Sequence, residues 1–438
     1  MSPNALVWLS VSNFGGSDVK NAMPISSLAT SKGLVGGPFG SSLVGNDYEL
    51  AGVPVIRGTN LGFGKYLGGS FVYVSEEKVA RDLARNTAVP GDIVFTQRGT
   101  LGQVALVDDS GSSEYVVSQS QMRLRVDPEI ASAGFVYYAC TSMRFLKQIS
   151  DNAISTGVPH INLGILGRLT IPLPSLETQN GIAEVLGALD DKIAANSKLL
   201  ETLDDYFMSR AREFATAPHA SSVKLNDLVR EMIAGDWGQD HQSELFSESV
   251  SCVRGADIPN LQAGGLGKMP IRYIKSASLK RRQVKPEDLV LEMSGGSPTQ
   301  STGRVFIATS SMLSRLQTPM ISSNFCRVIR LEGENLSFYI YSILRSSWLS
   351  GEFFQYENGT TGIKNLGFAD YCLGKEVALP SPDEFQAFNE MADRVFTMSQ
   401  TLGEESSRLR ATRDALLPQL MSGKLRVKDA EKSLAGVL

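Results

Sequence analysis

Two stripes of apolar residues, one in the middle of the chain and one near its end, constrain the fold more than any other feature. Each follows a Pro-Ser pair and an acidic turn, and each predicts one long helix, over about residues 177–212 and 383–417. Their apolar side chains recur at alternating steps of about three and four residues, the spacing of a coiled-coil seam. The stripes consist of Leu186, Leu189, Ile193, Leu200, Leu203 and Phe207, and of Phe388, Met391, Val395, Met398, Leu402, Leu409 and Leu416. The sequence predicts helices of roughly 50 to 55 Å that pack on each other in antiparallel directions.

Both stripes are interrupted by a polar residue at the same step. Asn196 stands in the first stripe where an apolar residue is expected, and Glu405 stands at the equivalent step of the second. A single polar group in such a seam weakens the helix pair but fixes its register. We therefore expect Asn196 and Glu405 to lie close together where the helices cross, and to set the inter-helix register.

The regions that precede the two helices repeat one plan with little identity. The matching segments occur in the same order in both copies: VPVIRGTNL and VSCVRGADI, PGDIVF and PEDLVL, QVALV and RVFIA, RLRV and RVIR, FVYYA and FYIYS, TGVPHINL and TGIKNL, and IPLPS and VALPS. Short apolar runs broken by Gly, Pro, Asn and Ser indicate strands and turns. The predicted fold class is α+β: two similar α/β domains separated by two long antiparallel coiled-coil helices, with pseudo-twofold symmetry.

The repeat gives the predicted boundaries. They are a first domain at residues 1–173, a central spacer helix at 174–216, a second domain at 217–379, a C-terminal spacer helix at 380–423 and a tail at 424–438. Pro418 is expected to break or kink the second helix, and Gly423 to end it. Gly181, Gly187 and Gly403 inside the helices each cost about 1 kcal/mol relative to alanine, so the helices should depend on packing.

Composition limits the possible functions. The chain has 42 Lys and Arg against 46 Asp and Glu, a net charge of −4, so no global positive field argues for nucleic acid or an acidic membrane. Basic groups for DNA must then be local or come from another subunit. Four widely spaced cysteines and three histidines argue against a disulfide framework or a metal site and fit a reducing cytoplasm. The sequence begins without a signal peptide and has no apolar run long enough to span a membrane.

The motifs of catalysis are missing. The sequence contains neither a phosphate-binding GxxxxGK loop nor a dinucleotide fingerprint. It also lacks the Asn-Pro-Pro-aromatic tetrapeptide of amino-methyltransferases. Asp288 and Glu292 hint at a nuclease-like carboxylate set, but Ser294 stands where that set needs a lysine, and a strand edge with exposed acids is the favoured interpretation. We therefore expect no catalysis by this chain alone.

Groups suited to DNA do occur in the predicted loops. Arginines beside glycine at strand ends could approach a phosphate or a guanine edge, although a strand-end salt bridge is the main alternative for each. The Lys280, Arg281, Arg282 run of the second domain is the strongest local positive charge and fits either a phosphate contact or a solvated turn. The TG loops repeated in both domains are candidate base-reading surfaces, although His160 could simply be a capped turn residue. The candidate DNA-binding residues are Arg57, Asn60, Gln97, Arg98, Thr100, His160, Asn162, Arg254, Lys280, Arg281, Arg282, Lys364 and Asn365.

The order of domains and helices, together with the C-terminal segment RLRATRDALLPQLMSGKLRV at residues 408–427, resembles the specificity subunit of type I restriction-modification systems. The resemblance implies two target recognition domains that each read one half of a bipartite, asymmetric double-stranded DNA target. It also implies that the helices act as a ruler and dock two modification subunits. Those subunits would bring S-adenosylmethionine and methylate adenine at N6, while restriction subunits would use ATP and Mg, so no cofactor is expected in this chain. The first helix departs from the pattern, because it ends YFMSRAREF without Gly-Lys.

Two other classes of function remain open at this stage. A stand-alone DNA-binding regulator would bind tightly and specifically without partners. A coiled-coil scaffold without a DNA role would bury the Arg98 and Lys364 loops against protein. For the specificity subunit we expect weak DNA binding by the acidic chain alone, since most phosphate neutralisation would come from partner subunits.

Overall fold

The long helices predicted from the apolar stripes are present as α5 (Leu176–Ala215) and α12 (Pro382–Met421) in a computed structural model. The structure describes residues 20–62, 64–155, 157–216, 221–297, 299–333, 335–359 and 363–434. The contacts between Cα atoms divide the chain into two units, Met1–Ile193 with Leu409–Leu438 and Ala194–Arg408. Both divisions fall inside a long helix, so each unit combines a strand-rich domain with parts of both helices. The boundaries predicted from the repeat remain a prediction.

The described residues of the first domain form short strands and short helices. The strands are β1 (Lys20–Pro24), β2 (Ala29–Gly36), β3 (Val53–Ile56), β4 (Val72–Val74), β5 (Thr87–Ala88), β6 (Ile93–Thr96), β7 (Val104–Leu106), β8 (Tyr115–Val117), β9 (Gln121–Val126) and β10 (Thr170–Leu173). The α-helices are α1 (Glu76–Lys78), α2 (Ala133–Thr141), α3 (Met143–Asn152) and α4 (Leu163–Arg168), with 3-10 turns at Ile25–Leu28, Gly40–Ser42, Gly45–Asp47 and Gly58–Asn60 and a π-helical turn at Val79–Leu83.

Helix α5 (Leu176–Ala215) follows, and the second domain repeats the pattern. Its strands are β11 (Ser221–Lys224), β12 (Val229–Ala234), β13 (Glu248–Val253), β14 (Ile271–Ile274), β15 (Leu289–Glu292), β16 (Ser294–Gly295), β17 (Val305–Ile307), β18 (Met320–Ser322), β19 (Cys326–Leu331), β20 (Glu357–Asn358), β21 (Lys364–Leu366) and β22 (Glu376–Leu379). Its helices are α6 (Leu225–Leu228), α7 (Ile258–Gln262), α8 (Ser276–Arg282), α9 (Ser310–Ser314), α10 (Ser337–Leu349) and α11 (Phe368–Gly374), with 3-10 turns at Gly255–Asp257 and Glu352–Tyr356. Helices α12 (Pro382–Met421) and α13 (Val427–Leu434) complete the described chain.

The two domains share one sheet topology. The larger sheet of the first domain has the strand order β2-β9-β6-β7, and that of the second has the equivalent order β12-β19-β15-β17. A second sheet, β4-β3-β8-β5 in the first domain, corresponds to β14-β13-β18, and its central pair is parallel in both (β3 with β8, β13 with β18). The duplication predicted from weak sequence matches is thereby confirmed at the level of strand order, together with the mixed helix-and-sheet fold class.

The central strands show why these apolar runs are continuous. In β6, Ile93 and Phe95 pack into the core shared with α2, whereas Val94 points into the cluster between the two sheets. In β15, Leu289 and Leu291 face one cluster and Val290 another. A strand that is buried on both faces needs apolar side chains at successive positions, and this accounts for the matching IVF and LVL segments.

An ion pair is duplicated beside these strands. Asp92, 1% exposed, accepts two hydrogen bonds from Arg125 at 2.8 and 2.7 Å, and Asp288, 4% exposed, accepts two from Arg330 at 3.0 and 3.1 Å. Glu292, the other acid considered for a nuclease site, pairs with Arg304 at 2.9 Å and is 3% exposed. The expectation of exposed acids at this strand edge was therefore wrong: Asp288 and Glu292 are buried and neutralised by arginines, because a buried carboxylate needs a charged partner.

In the first unit the two long helices pack through the predicted stripes. Leu186 and Leu189 of α5 share a buried cluster with Leu409 and Leu416 of α12. At the edge of this seam the buried carboxylate of Asp190 accepts hydrogen bonds from Tyr138 Oη at 2.8 Å and from Arg413 Nη1 at 2.6 Å. Burial, together with the Asp190 charge, raises the pKa of the Tyr138 phenol, so that group stays a neutral donor.

In the second unit, Asn196 Nδ2 donates to Glu405 Oε2 at 2.7 Å and to Ser406 Oγ at 3.3 Å, which confirms the predicted proximity of Asn196 and Glu405. Further along α5, the ring of Phe207 lies 5.2 Å from that of Phe396, earlier in α12. Partners therefore move backwards along α12 as one moves forwards along α5, so the helix parts in this unit are antiparallel. Met398, assigned to the seam, is 45% exposed and lies at its margin.

Gly181 and Gly403 inside the helices lie where another segment of the chain approaches closely. A β-carbon on Gly403 would lie 2.4 Å from the backbone of Gly264, and one on Gly181 would lie 2.7 Å from Val427 Cγ1. Pro418 does not break α12, which continues to Met421. Gly423, at φ +69°, follows the helix end as predicted.

No helix in the described ranges is both long enough and apolar enough to cross a membrane.

Candidate nucleic-acid interface

One edge of the first domain gathers the ends of several strands. β3 and β8 are parallel, so their C-terminal ends meet there, and the hydrogen bond from Ser118 N to Ile56 O (3.0 Å) joins them. β6 ends at the same edge, where Thr96 is paired with Gln121 at the start of β9. The loops that leave these strands are therefore neighbours, although they are far apart in sequence.

Main-chain hydrogen bonds hold these loops side by side. Gln97 N donates to Ser120 O at 2.7 Å, and Ile161 N donates to Gln97 O at 3.0 Å. Arg98 and His160 face each other in an isolated antiparallel bridge. The structure thus brings together two candidates, Arg98 and His160, that the sequence placed in different motifs.

The second domain builds the same edge with the same bonds. Met293 N donates to Phe325 O at 2.7 Å, as Gln97 N does to Ser120 O. Leu366 N donates to Met293 O at 2.9 Å, as Ile161 N does to Gln97 O. Ser294 pairs with Asn365 in the second domain, as Arg98 pairs with His160 in the first. Ser294 therefore corresponds to Arg98, and Asn365 corresponds to His160.

A further loop that sequence reasoning missed joins each edge. A β-carbon on Gly37 would lie 1.9 Å from Ser118 O, and one on Gly235 would lie 2.0 Å from Ser323 O, so both positions require glycine. The signal was available as GPFG at residues 37–40 and GDWG at residues 235–238, directly after the first strand of each larger sheet. Gln119 Nε2 fixes the first of these loops by donating to Gly40 O at 2.6 Å and to Leu43 O at 3.0 Å.

Several candidates of the first domain are accessible at this edge. Arg98 and Thr100 are exposed, and Gln97 is half-buried. Within the described part of the chain, the Arg98 guanidinium makes no hydrogen bond or ion pair, so its charge is available to a ligand.

The TG loop of the first domain supplies two more side chains. His160 is half-buried with Nδ1 3.2 Å from Val158 O, which agrees with its alternative as a turn residue. Asn162 is exposed and caps α4, its Oδ1 accepting from Ile165 N at 2.8 Å. The cap uses its oxygen, and the amide nitrogen is the group that could meet a base edge. Thr156 of this loop lies outside the described residues.

Asn60 does not belong to a binding surface. It is 0% exposed, accepts from Arg57 N at 3.0 Å and donates to Gly68 O at 3.0 Å and Ser70 O at 3.1 Å. The predicted DNA contact is corrected to a structural role, because every polar atom of a buried amide must find a partner within the protein. Arg57 is half-buried, with Nη2 3.4 Å from Ser70 O.

Arg254 is held by an ion pair. Its Nε and Nη2 donate to Asp257 at 2.9 and 3.1 Å, and Nη2 also donates to Lys268 O at 2.8 Å. Burial raises the pKa of Asp257, but the hydrogen bonds from Arg254 and from the Lys268 and Arg254 backbones outweigh it and lower the pKa below 3.8. For Arg254 the strand-end salt bridge is therefore the correct interpretation, and the proposed base contact is not supported.

The basic run of the second domain divides into two parts. Lys280 and Arg281 are exposed on α8. Arg282 instead donates from Nε to Ala234 O at 3.0 Å and from Nη1 to Ser278 Oγ at 2.9 Å, so it stabilises the end of β12. A phosphate contact stays a prediction for Lys280 and Arg281.

The repeated loop of the second domain is more enclosed than its counterpart. Lys364 Nζ lies 2.7 Å from Glu357 Oε2 and 3.3 Å from Ser297 O, and its side chain is 31% exposed. Asn365 is exposed and accepts a hydrogen bond from Ser294 Oγ. Residues 360–362, which include the Thr-Gly pair of this loop, lie outside the described residues.

The described residues offer no cluster of His, Cys, Asp or Glu suited to a metal ion. Cys140, Cys252, Cys326 and Cys372 are buried, and burial raises the pKa of Cys252, Cys326 and Cys372 to about 12. Thiols with so high a pKa are neutral and unreactive near pH 7.

Residues 52–205 match the family model described as the type I restriction modification DNA specificity domain. The specificity subunit of the type I restriction enzyme MjaIX from Methanocaldococcus jannaschii is 23% identical over 82% of this chain and 84% of its own length. That of HindI from Haemophilus influenzae is 21% identical over 83% of this chain and 93% of its own length.

A solved structure supports the fold. The crystal structure of a type I restriction-modification system S subunit from M. genitalium matches with a TM-score of 0.55 at 16% identity, covering 94% of this chain and 98% of that one. The resemblance predicted from the sequence is thus confirmed: residues 52–205 match the type I restriction modification DNA specificity domain, and the chain is similar to type I specificity subunits along most of its length.

Proposed function

We propose that this chain is the sequence-specific DNA recognition subunit of a type I restriction-modification complex. The observation that carries the proposal is the duplicated loop edge, in which the same backbone hydrogen bonds present different side chains. Arg98 and His160 stand in the first domain where Ser294 and Asn365 stand in the second. A constant backbone with exchanged side chains is what two readers of different half-sites need, because side-chain donors and acceptors distinguish base pairs.

The target is then bipartite and asymmetric double-stranded DNA, with one half read by each domain. The paired helices serve as the spacer and as the docking surface for two modification subunits. Those subunits bind S-adenosylmethionine and methylate adenine at N6, and restriction subunits in the full complex use ATP and Mg to cleave. The complex acts in the cytoplasm.

This chain contributes recognition, and the partner subunits contribute catalysis. The similarity of the chain to specificity subunits of type I restriction enzymes supports that division of labour. Because the chain carries a net charge of −4, most phosphate neutralisation comes from the partners, and the isolated chain binds DNA weakly. A stand-alone regulator would instead bind tightly by itself, so the affinity of the isolated chain separates these two functions.

The scaffold alternative required the Arg98 and Lys364 loops to be buried against protein. Arg98 is exposed, and this observation favours a binding role for the first domain. Lys364 is partly enclosed by Glu357. In the second domain, the exposed amide of Asn365 is therefore the better candidate for a contact with DNA.

Methylome sequencing tests the proposal directly. Cells that carry this chain together with a modification subunit should show a split N6-methyladenine motif with a fixed gap. Deleting this gene alone should abolish the motif, and exchanging residues of one domain should alter only one half of it. Unchanged methylation after deletion would refute the proposed function.

A further inference from the structure

An aromatic ring stands at the same place in both domains, on the glycine-bounded loop that joins each candidate edge. Phe39 lies between Gly37 and Gly40, and Trp237 lies between Gly235 and Gly238. Gly37 and Gly235 meet equivalent carbonyl oxygens of the neighbouring loop, Ser118 O and Ser323 O, so the two aromatic positions correspond in structure as well as in sequence.

Among the described residues, Phe39 has the most exposed aromatic side chain. The ring is 87% exposed, although the backbone around it is held in place by the Gln119 hydrogen bonds to Gly40 O and Leu43 O. A ring that is held out into solvent by a fixed loop loses apolar contact that it could have made elsewhere in the fold. The ring is therefore accessible to a molecule outside the chain.

Trp237 is 37% exposed, and contacts with Arg272 hold it in place. The guanidinium of Arg272 lies 4.6 Å from the centre of the indole ring, and Arg272 Nε donates to Trp237 O at 2.8 Å. Arg272 is itself buried and paired with Asp240. The cation beneath the ring and the bond to its carbonyl fix the orientation of the indole.

We propose that Phe39 and Trp237 pack their rings against DNA bases, one in each half-site, and so contribute to the recognition of the target. The proposal deepens the proposed function and rests on it. The rings are continuous with the edge that carries Arg98 and Asn365, because each aromatic loop adjoins the loop to which Gln97 N or Met293 N donates. A neutral ring beside a cation or an amide supplies apolar contact to a thymine methyl group or to a base face, which polar side chains cannot supply.

The test uses the complex of this chain with its modification subunits. The DNA is a duplex that contains the target motif identified by methylome sequencing with the wild-type chain. Phe39→Ala should weaken binding to this duplex by about tenfold, since the variant loses the contact between the ring and one base. Binding to unrelated DNA should be unchanged, and so should the dependence on salt, because a neutral ring releases no counterions. Leu50→Ala is the matched control: Leu50 is 100% exposed but precedes β3, at the end opposite to the edge.

Substitution of deoxyuridine for thymine in the half-site locates the ring. If the Phe39→Ala effect disappears on this duplex, the ring lies against a thymine methyl group; if the effect persists, the ring lies against a base face. Both results support base contact. Cognate affinity equal to the wild type, or an equal loss on unrelated DNA, would overturn the inference, as would release of the modification subunits by Phe39→Ala in size-exclusion chromatography.

The second domain needs a pair of variants, because Trp237 is partly buried. Trp237→Phe keeps a ring, so this variant should retain most of the affinity of the complex for the duplex. Trp237→Leu removes the ring and should weaken binding to the half-site that the second domain reads. Leu373→Ala, at a side chain that is 60% exposed on α11, serves as the control. A wild-type complex that shows no sequence preference would refute the proposed function, whereas a selective wild type with unaffected Phe39→Ala and Trp237→Leu variants would refute this inference alone.

Discussion

Asn196 Nδ2 donates a hydrogen bond of 2.7 Å to Glu405 Oε2, joining the polar steps of the two helical stripes. Asn196 is 3% exposed and also contacts Ser406 Oγ, so its amide is satisfied inside the helix pair. A buried polar contact of this kind disfavours shifted pairings, in which the amide would face apolar side chains. Its role in setting the register remains a prediction, and it can be tested.

Asn196→Leu should lower the free energy of unfolding by about 1 to 2 kcal/mol, because the carboxylate of Glu405 and the hydroxyl of Ser406 lose a buried donor. The double variant Asn196→Leu with Glu405→Leu should recover most of that loss, since an apolar pair replaces a polar one. Urea unfolding followed by circular dichroism measures both. A single variant as stable as the wild type would show that the contact is dispensable.

Two helical glycines should respond in opposite ways to alanine. Gly403→Ala should destabilise by about 1 to 3 kcal/mol, because the new β-carbon would lie 2.4 Å from the backbone of Gly264, which cannot move aside. Gly187→Ala should be neutral or stabilising by up to about 1 kcal/mol, because its nearest neighbour is the flexible end of Lys65 at 3.3 Å. Thermal unfolding of both variants compares them, and equal shifts in Tm would contradict the packing argument.

Arg98→Gln should weaken DNA binding by the complex and reduce the slope of log affinity against log salt by about one if the guanidinium meets a phosphate. If it meets a guanine edge instead, the variant should relax the preference at one base pair at a cost of about 1 to 3 kcal/mol. Lys32→Gln is the control, since Lys32 is exposed on β2 away from the edge. Identical binding by Arg98→Gln and Lys32→Gln would remove Arg98 from the interface.

The Arg254–Asp257 pair predicts a dependence of stability on pH. The pKa of Asp257 is lowered in the folded chain, so the ionised carboxylate contributes to the free energy of unfolding. This contribution is complete above about pH 4 and is lost as the pH falls through the folded-state pKa. Asp257→Asn should therefore destabilise the chain at pH 7, and the difference from the wild type should shrink as the pH falls below about 4. Unfolding midpoints measured across this range check the sign. A difference that stays constant with pH would exclude the carboxylate charge as its source.

The sequence alone was sufficient for the duplicated plan. Heptad spacing predicted α5 and α12, and seven weak matches in order predicted two domains whose strand orders turn out to be equivalent. Asn196 and Glu405 were paired because one local pattern was interrupted at the same step twice. These inferences succeeded because periodicity and order are local properties that burial of one face imposes on the sequence.

The identity of the interface residues was decided by tertiary structure. Asn60, Arg98 and Arg254 occur in similar strand-end motifs, yet Asn60 is buried, Arg254 is paired with Asp257, and Arg98 faces solvent. The same motif gives different outcomes because the partner of each side chain comes from a distant loop that no local pattern specifies. Local spacing thus determined which elements form and repeat, whereas the long-range packing of loops determined which of their side chains remain available for DNA.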